Sequence, residues 1–307
     1  MSEVRIRFRH LQCFLAIAQH RSVGAAADSL AITQPALSKT LRELEDALKV
    51  RLFDRDKKGM LLTRFGEVFL QHAAASVASL RQGIDSIKLA SGVSGLEVSV
   101  GTLPTVAASV MPMAVQMFKQ QAAATTVRVV TGEHAQLLDL LRIGELDLVV
   151  GRLAQPDSMV GLTFEHLYSE SLILVVRKGH PLAKVRRFRL AMITDYPLML
   201  PHSGTTIRRE IERFLFANGI SRLGNLVDAT SIAFGRSYMR MTDTVWFAAR
   251  GIVEPDLTRG LLVELPADTQ AMQGPVGITV RDDVKPNAAA ALMAQSVRSA
   301  VKRLEQE

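Results

Sequence analysis

Gln34, Ser38, Lys39 and Arg42 recur at helical spacing, and the face opposite them carries Leu37, Leu41, Leu44 and Leu48. An amide, a hydroxyl and two cations backed by leucine suit the major groove of DNA. An amide there reads adenine, and a cation reads guanine or phosphate. Pro35 adds an apolar contact for a thymine methyl. Alone, the same pattern also describes a solvated amphipathic helix. A second group of residues lies further on: Thr102, Leu103, Thr105, His134, Arg152 and the run His202-Ser203-Gly204-Thr205. Each falls where an expected strand ends or runs into a helix. Free N–H groups and hydroxyls at such places receive anions. Arg152 is the cation nearest a strand end in its half and suits a carboxylate through paired hydrogen bonds. His134 is a contact or merely solvated, and Thr102 and Thr205 serve as helix caps, contacts or both.

Catalysis finds no support. Seven His and one Cys are scattered without metal-ligand spacing, and no nucleophile elbow or phosphate loop occurs. No cofactor is expected beyond a small-molecule ligand.

The elements that must hold the first group follow from local signals. Phe8 to His20 is a helix with Leu11, Phe14, Leu15 and Ala18 on one face, and Phe8 is expected to start the core. Ser22 caps a second helix with a small face of Ala25, Ala26, Ala27 and Leu30. Ala31-Ile32-Thr33 turns the chain. Thr33 caps the third helix and Pro35 sits in its first turn, where a missing N–H costs nothing. Val50 to Phe53 and Met60 to Leu62 form a hairpin whose charged turn carries Arg55, Lys57 and Lys58, placed to anchor phosphate. Arg5, Arg7 and Arg9 are phosphate contacts or solvated. Thr63 then caps a helix to about Leu89. Roughly 25 residues span about 37 Å, too long for the apolar seam of Phe65, Phe69, Ala73, Leu80, Ile84 and Ile87 to hide on a small domain. A dimer seam solves this; packing within one chain is the alternative. Ser91-Gly92-Val93-Ser94-Gly95 marks a hinge.

Beyond the hinge, strands alternate with helices twice over. Strands are expected at Leu96 to Val100, Thr126 to Val130, Leu146 to Val150, Leu172 to Val176, Leu198 to Leu200, Asn225 to Asp228, Val245 to Ala248 and Val276 to Val280. Helices are expected at Val106 to Gln120, Glu133 to Arg142, Thr206 to Ala217, Ser231 to Arg240 and Ala288 to Leu304. This order implies two α/β halves with a ligand cleft between them. Phe234 and Trp246 belong to the cleft wall or to the core.

Composition agrees with a nucleic-acid partner. Of the net charge of +7, residues 1–65 hold +5, from 12 Lys+Arg against 7 Asp+Glu. No run of about 18 apolar residues occurs and the N-terminus lacks an apolar signal core, so a cytoplasmic protein without membrane contact is expected. The single Cys13 excludes an internal disulfide.

Thr33-Gln34-Pro35-Ala36-Leu37-Ser38-Lys39, Leu44-Glu45, V-R-L-F-D-R (Val50 to Arg55) and L-T-R-F-G-E (Leu62 to Glu67) resemble the LysR-type transcriptional regulators, and the resemblance covers essentially the whole chain. It implies an N-terminal winged helix-turn-helix with a long linker helix, and a C-terminal α/β two-lobed effector domain like the periplasmic binding proteins. The implied domains are 1–64, a linker helix 65–90, and 91–307, with lobe I about 96–167 and 275–307 and lobe II about 168–274. It further implies Arg55 as the wing's contact, effector binding at the strand-to-helix positions named above, homodimers or homotetramers, and RNA polymerase as a partner. The opening R-I-R-F-R-H-L-Q and the segment Phe234 to Phe247 are similar to the regulators of protocatechuate catabolism and their sugar-responsive relatives. The implied function is activation of an aromatic-acid catabolic operon by a carboxylated, muconate-type inducer; the alternative is a sugar or another metabolite.

Overall fold

The computed structural model describes residues 6–56, 59–90, 97–203 and 205–306. Lys57, Lys58, the expected hinge and Gly204 lie outside the described residues.

The chain opens with α1 (Phe8–His20), α2 (Val23–Ser29) and α3 (Gln34–Leu48), followed by the hairpin of β1 (Phe53–Asp56) and β2 (Gly59–Leu62) and by α4 (Arg64–Ala90). Hydroxyl caps fix three helix starts: Ser22 Oγ accepts from Ala25 N, Thr33 Oγ1 from Ala36 N and Thr63 Oγ1 from Gly66 N. Ala26 and Ala27 are buried, and their small size lets α3 press Leu37, Leu41 and Leu44 against Phe14 and Ile17. Phe14 meets Phe69 of α4 edge to face at 5.0 Å. The expected core role of Phe8 is corrected: it sits at the first position of α1 and is 42% exposed. The wing strand also begins later than expected, at Phe53, because the Leu52 and Phe53 N–H groups turn to Glu45 instead of a partner strand.

Helix α4 divides its apolar residues between two duties. Ala73, Ala74 and Val77 are buried in the N-terminal core, whereas Phe65, Val68, Leu80, Ile84 and Ile87 stay exposed, Ile87 at 70%.

The C-terminal region begins with β3 (Glu97–Thr102), α5 (Pro104–Ala108), α6 (Val110–Gln121), β4 (Thr126–Thr131), α7 (His134–Arg142), β5 (Leu148–Arg152) and β6 (Leu162–Glu170). It then crosses to β7 (Leu172–Arg177), β8 (Leu198–Leu200), α8 (Thr206–Ala217), β9 (Leu226–Asp228), α9 (Ile232–Met241), β10 (Val245–Ala249), α10 (Arg250–Thr258) and β11 (Leu262–Glu264). It returns as β12 (Gly274–Arg281) and closes with α11 (Ala288–Leu304). The two five-stranded sheets run β4-β3-β5-β12-β6 and β11-β7-β10-β8-β9. Strands β4, β3 and β5 are parallel, as are β10, β8 and β9, which follows from their helical crossovers. Strands β12 and β6 are antiparallel neighbours. This is the two-lobed architecture expected from the alternation.

Three local features depart from the sequence reading. The single helix expected over Val106 to Gln120 is two, broken at Ser109, whose hydroxyl donates to Thr105 O at 2.9 Å. Strands β6 and β11 and helix α10 had no assignment, since β6 mixes polar and apolar residues and α10 contains Pro255. The third strand ends two residues late, which carries Arg152 into the sheet.

Candidate functional site

Gln34, Pro35, Lys39 and Arg42 are exposed along α3, and Ser38 is half-buried beside them. The buried leucines behind fix the helix so that this face points outward. Thr33 is exposed, with its hydroxyl engaged as the cap. Arg55 is exposed on the wing, next to the turn where Lys57 lies outside the described residues. Lys39, Arg42 and Arg55 have no ion-pair partner among the described residues, so their charge is open to a polyanion. Arg9 differs, because it is paired with Glu43 at 2.8 Å. The recognition helix therefore offers base-reading and phosphate-anchoring groups together.

The second site is an open cavity of about 930 Å³ between the two lobes. Leu103, Thr105 and His134 line it from the first lobe, at the C-terminal ends of β3 and β4. His202, Ser203 and Thr205 line it from the second lobe, after β8, and Trp246 forms part of the wall. Trp246 thus serves both readings, being core and wall. Gly235 makes room for its indole, since a Cβ there would approach it at 3.0 Å. Phe234 is in neither place; it is exposed and stacked on Tyr238.

The candidate residues separate by what already holds them. Thr102 is fully buried, its hydroxyl donates to Leu103 O at 3.2 Å, and it is absent from the cavity wall. Its expected place at the cleft edge is corrected: the residue after it, Leu103, forms that edge. Thr205 Oγ1 accepts from Arg208 N at 3.2 Å and donates to His202 O at 3.0 Å, so it both caps α8 and borders the cavity. His202 Nδ1 is 3.1 Å from Asp228 Oδ1. His134 begins α7, and its Nε2 is buried without a hydrogen-bond partner among the described residues. Burial holds this imidazole below its ordinary range, so it is neutral near pH 7.

Arg152 borders the cavity but is already engaged by Glu170 and Glu210. Burial, aided by the nearby Glu210 charge, pushes the Glu170 carboxyl up, while Arg152 and the Thr105 hydroxyl pull it down. The cation that lines the cavity without an ion-pair partner among the described residues is Arg209, which the sequence reading missed. The signal was present: Arg209 lies four residues after the cap Thr205, hence on the same face of α8.

Two family models match the chain in tandem. The bacterial regulatory helix-turn-helix protein of the lysR family matches residues 8–67 and the LysR substrate binding domain matches residues 91–302. Among curated relatives, the HTH-type transcriptional regulator PcaQ of Agrobacterium fabrum is 44% identical over 304 residues, covering 99% of this chain and 98% of that protein. YdcI of Escherichia coli, an uncharacterized HTH-type transcriptional regulator, is 36% identical, covering 97% and 96%. Full-length OxyR of Pseudomonas aeruginosa has the same fold, with a TM-score of 0.67 at 21% identity, covering 96% and 95%. PcaQ and YdcI are both named as transcriptional regulators, not enzymes. One model covers the helix-turn-helix, the other covers the two-lobed domain around the cavity, and the chain belongs to the LysR family of DNA-binding transcriptional regulators.

Proposed function

We propose that this regulator responds to a small organic acid and activates an aromatic-acid catabolic operon of the protocatechuate type. The observation that carries the reading is the chemistry of the cavity wall: two guanidinium groups, a helix N-terminus capped by Thr205, and the Ser203 hydroxyl converge there with the apolar Leu103 and Trp246. That combination fits a compact carboxylate with an unsaturated body. The 44% identity to PcaQ over nearly the whole chain supports it. A thiol–disulfide switch within one chain is excluded, because Cys13 is the sole cysteine and is buried.

In this reading the exposed apolar residues of α4 pair two chains, and dimers assemble into tetramers that place two recognition helices per dimer on the operator. The regulator works in the cytoplasm with RNA polymerase as its partner at the promoter, and needs no cofactor beyond the inducer. Ligand closes the lobes and changes the assembly only by the difference in its affinity for the two states.

The test is thermal unfolding of the full chain with a panel of cis,cis-muconate, a carboxymuconate, protocatechuate and simple sugars. A ligand at 100 times its Kd adds about 2.7 kcal/mol to the folded state, a rise on the order of 5 °C or more. A rise with a carboxylate alone supports the reading. A rise with a sugar alone replaces the organic acid by a sugar, and no rise with any compound overturns the inducer class.

A further inference from the structure

We propose that Arg152 is a carboxylate-binding centre of the inducer site and that Glu210 is its internal occupant, which an incoming carboxylate replaces. The inference rests on the organic-acid reading and describes how that same site is regulated.

Arg152 ends β5 in the first lobe and is 2% exposed. Its Nε donates to Glu170 Oε2 at 3.3 Å, and its Nη2 donates to the backbone oxygens of Glu170 at 3.0 Å and of Met272 at 3.3 Å. Glu170 stands where the chain leaves the first lobe, and Met272 stands just before it returns as β12. Gly274 closes the seat: a Cβ there would lie 2.8 Å from Arg152 Nη1. The guanidinium is therefore held by both crossing segments, and the backbone fixes its orientation. What remains is Nη1, which donates to Glu210 Oε2 of α8, in the second lobe.

Two carboxylates share one guanidinium in this cluster. A third, brought by a ligand, would leave an excess of buried negative charge unless one departs. Glu170 is the poor candidate to leave. It is 5% exposed, and its backbone is paired with Gly274 in the sheet. The Glu210 side chain is 26% exposed, meets Arg152 through a single nitrogen and stands on the opposite lobe. Arg152 also forms part of the cavity wall, so a ligand carboxylate reaches it from the cavity. Exchange conserves charge, since one carboxylate leaves as another arrives, and Glu210 moves toward solvent. It also replaces a direct β5-to-α8 ion pair with a ligand. Arg209, the residue before Glu210 on α8, lines the same cavity and would hold the ligand's other end. A dicarboxylate that spans Arg152 and Arg209 is the class this arrangement takes, and the relation between the lobes then depends on the ligand.

The experiment is calorimetric titration of cis,cis-muconate and protocatechuate into the full chain, its Glu210→Gln variant and a control, Glu254→Gln, at an exposed site paired with Arg250. Removal of the internal competitor is expected to tighten carboxylate binding on the order of tenfold in Glu210→Gln and to leave the control like the parent. Glu210→Asp keeps the charge but falls one methylene short of Nη1; it shifts affinity the same way and decides the matter if the amide variant folds poorly. Carboxylate binding by the parent with no gain in either Glu210 variant overturns the exchange alone. Absence of carboxylate binding by parent and variants alike overturns the exchange together with the organic-acid reading.

Discussion

The Glu45 carboxylate, near the end of the recognition helix, accepts the backbone N–H of Leu52 at 2.7 Å and of Phe53 at 3.3 Å. One side chain thereby ties α3 to the first strand of the wing, so the base-reading helix and the phosphate-anchoring hairpin keep a fixed relation. Glu45→Ala leaves two amides unpaired and should cost about 1–3 kcal/mol of stability. It should also weaken binding to every DNA sequence alike. Chemical denaturation and fluorescence anisotropy on two unrelated duplexes check both outcomes; unchanged stability refutes the tie.

Gln34 and Arg55 lie on different parts of that unit and should fail differently. Gln34→Ala should relax preference at one base position, with a loss of about 1–3 kcal/mol of discrimination there. Arg55→Ala should weaken all sequences and lower the slope of log K against log salt by about one. Binding of an operator library at three salt concentrations separates them, and identical behaviour of the two variants dismisses the division of labour.

His134 makes the effector domain sensitive to acid. Its folded form holds the imidazole below the ordinary value of about 6.5, so below that pH the unfolded chain binds more protons than the folded one. Stability therefore falls as pH drops from about 6.5, and His134→Gln flattens that part of the profile. Glu170, whose carboxyl is pushed up, acts with the opposite sign, its contribution being lost as pH rises above its ordinary value of about 4.5. The difference between the melting curves of parent and variant from pH 7.5 to 5.5 isolates the histidine, since Glu170 is common to both; parallel profiles would rule it out.

The exposed side of α4 should be an interface. Leu80, Ile84 and Ile87 follow one another at helical spacing and lie in solvent in the single chain. Ile84→Glu places a charge in that seam and should shift the protein toward monomer. Sedimentation velocity at several concentrations reads the change, and a variant that assembles like its parent places the interface elsewhere.

Much of this was legible in the chain because the signals are local. The caps Ser22, Thr33 and Thr63, the leucine face of α3 and the alternation of strand and helix depend on neighbours a few residues away. They located the helix-turn-helix, the wing, the linker and the two halves, and they placed Leu103, Thr105, His134, His202, Ser203 and Thr205 around one cavity. The Leu44-Glu45 pair was visible only as part of a resemblance; the fold assigned Glu45 its partners. What the sequence left open was how charges distribute over contacts that are distant along the chain. Arg152 reads as a free cation at a strand end, yet its partners are 18, 58 and 120 residues away. Thr102 and Leu103 are adjacent, yet the one that ends β3 is buried and the one that starts the turn into α5 lines the cavity. Local propensity sets which elements form, whereas burial and charge pairing are properties of residues brought together from different elements, and those only the tertiary structure decides.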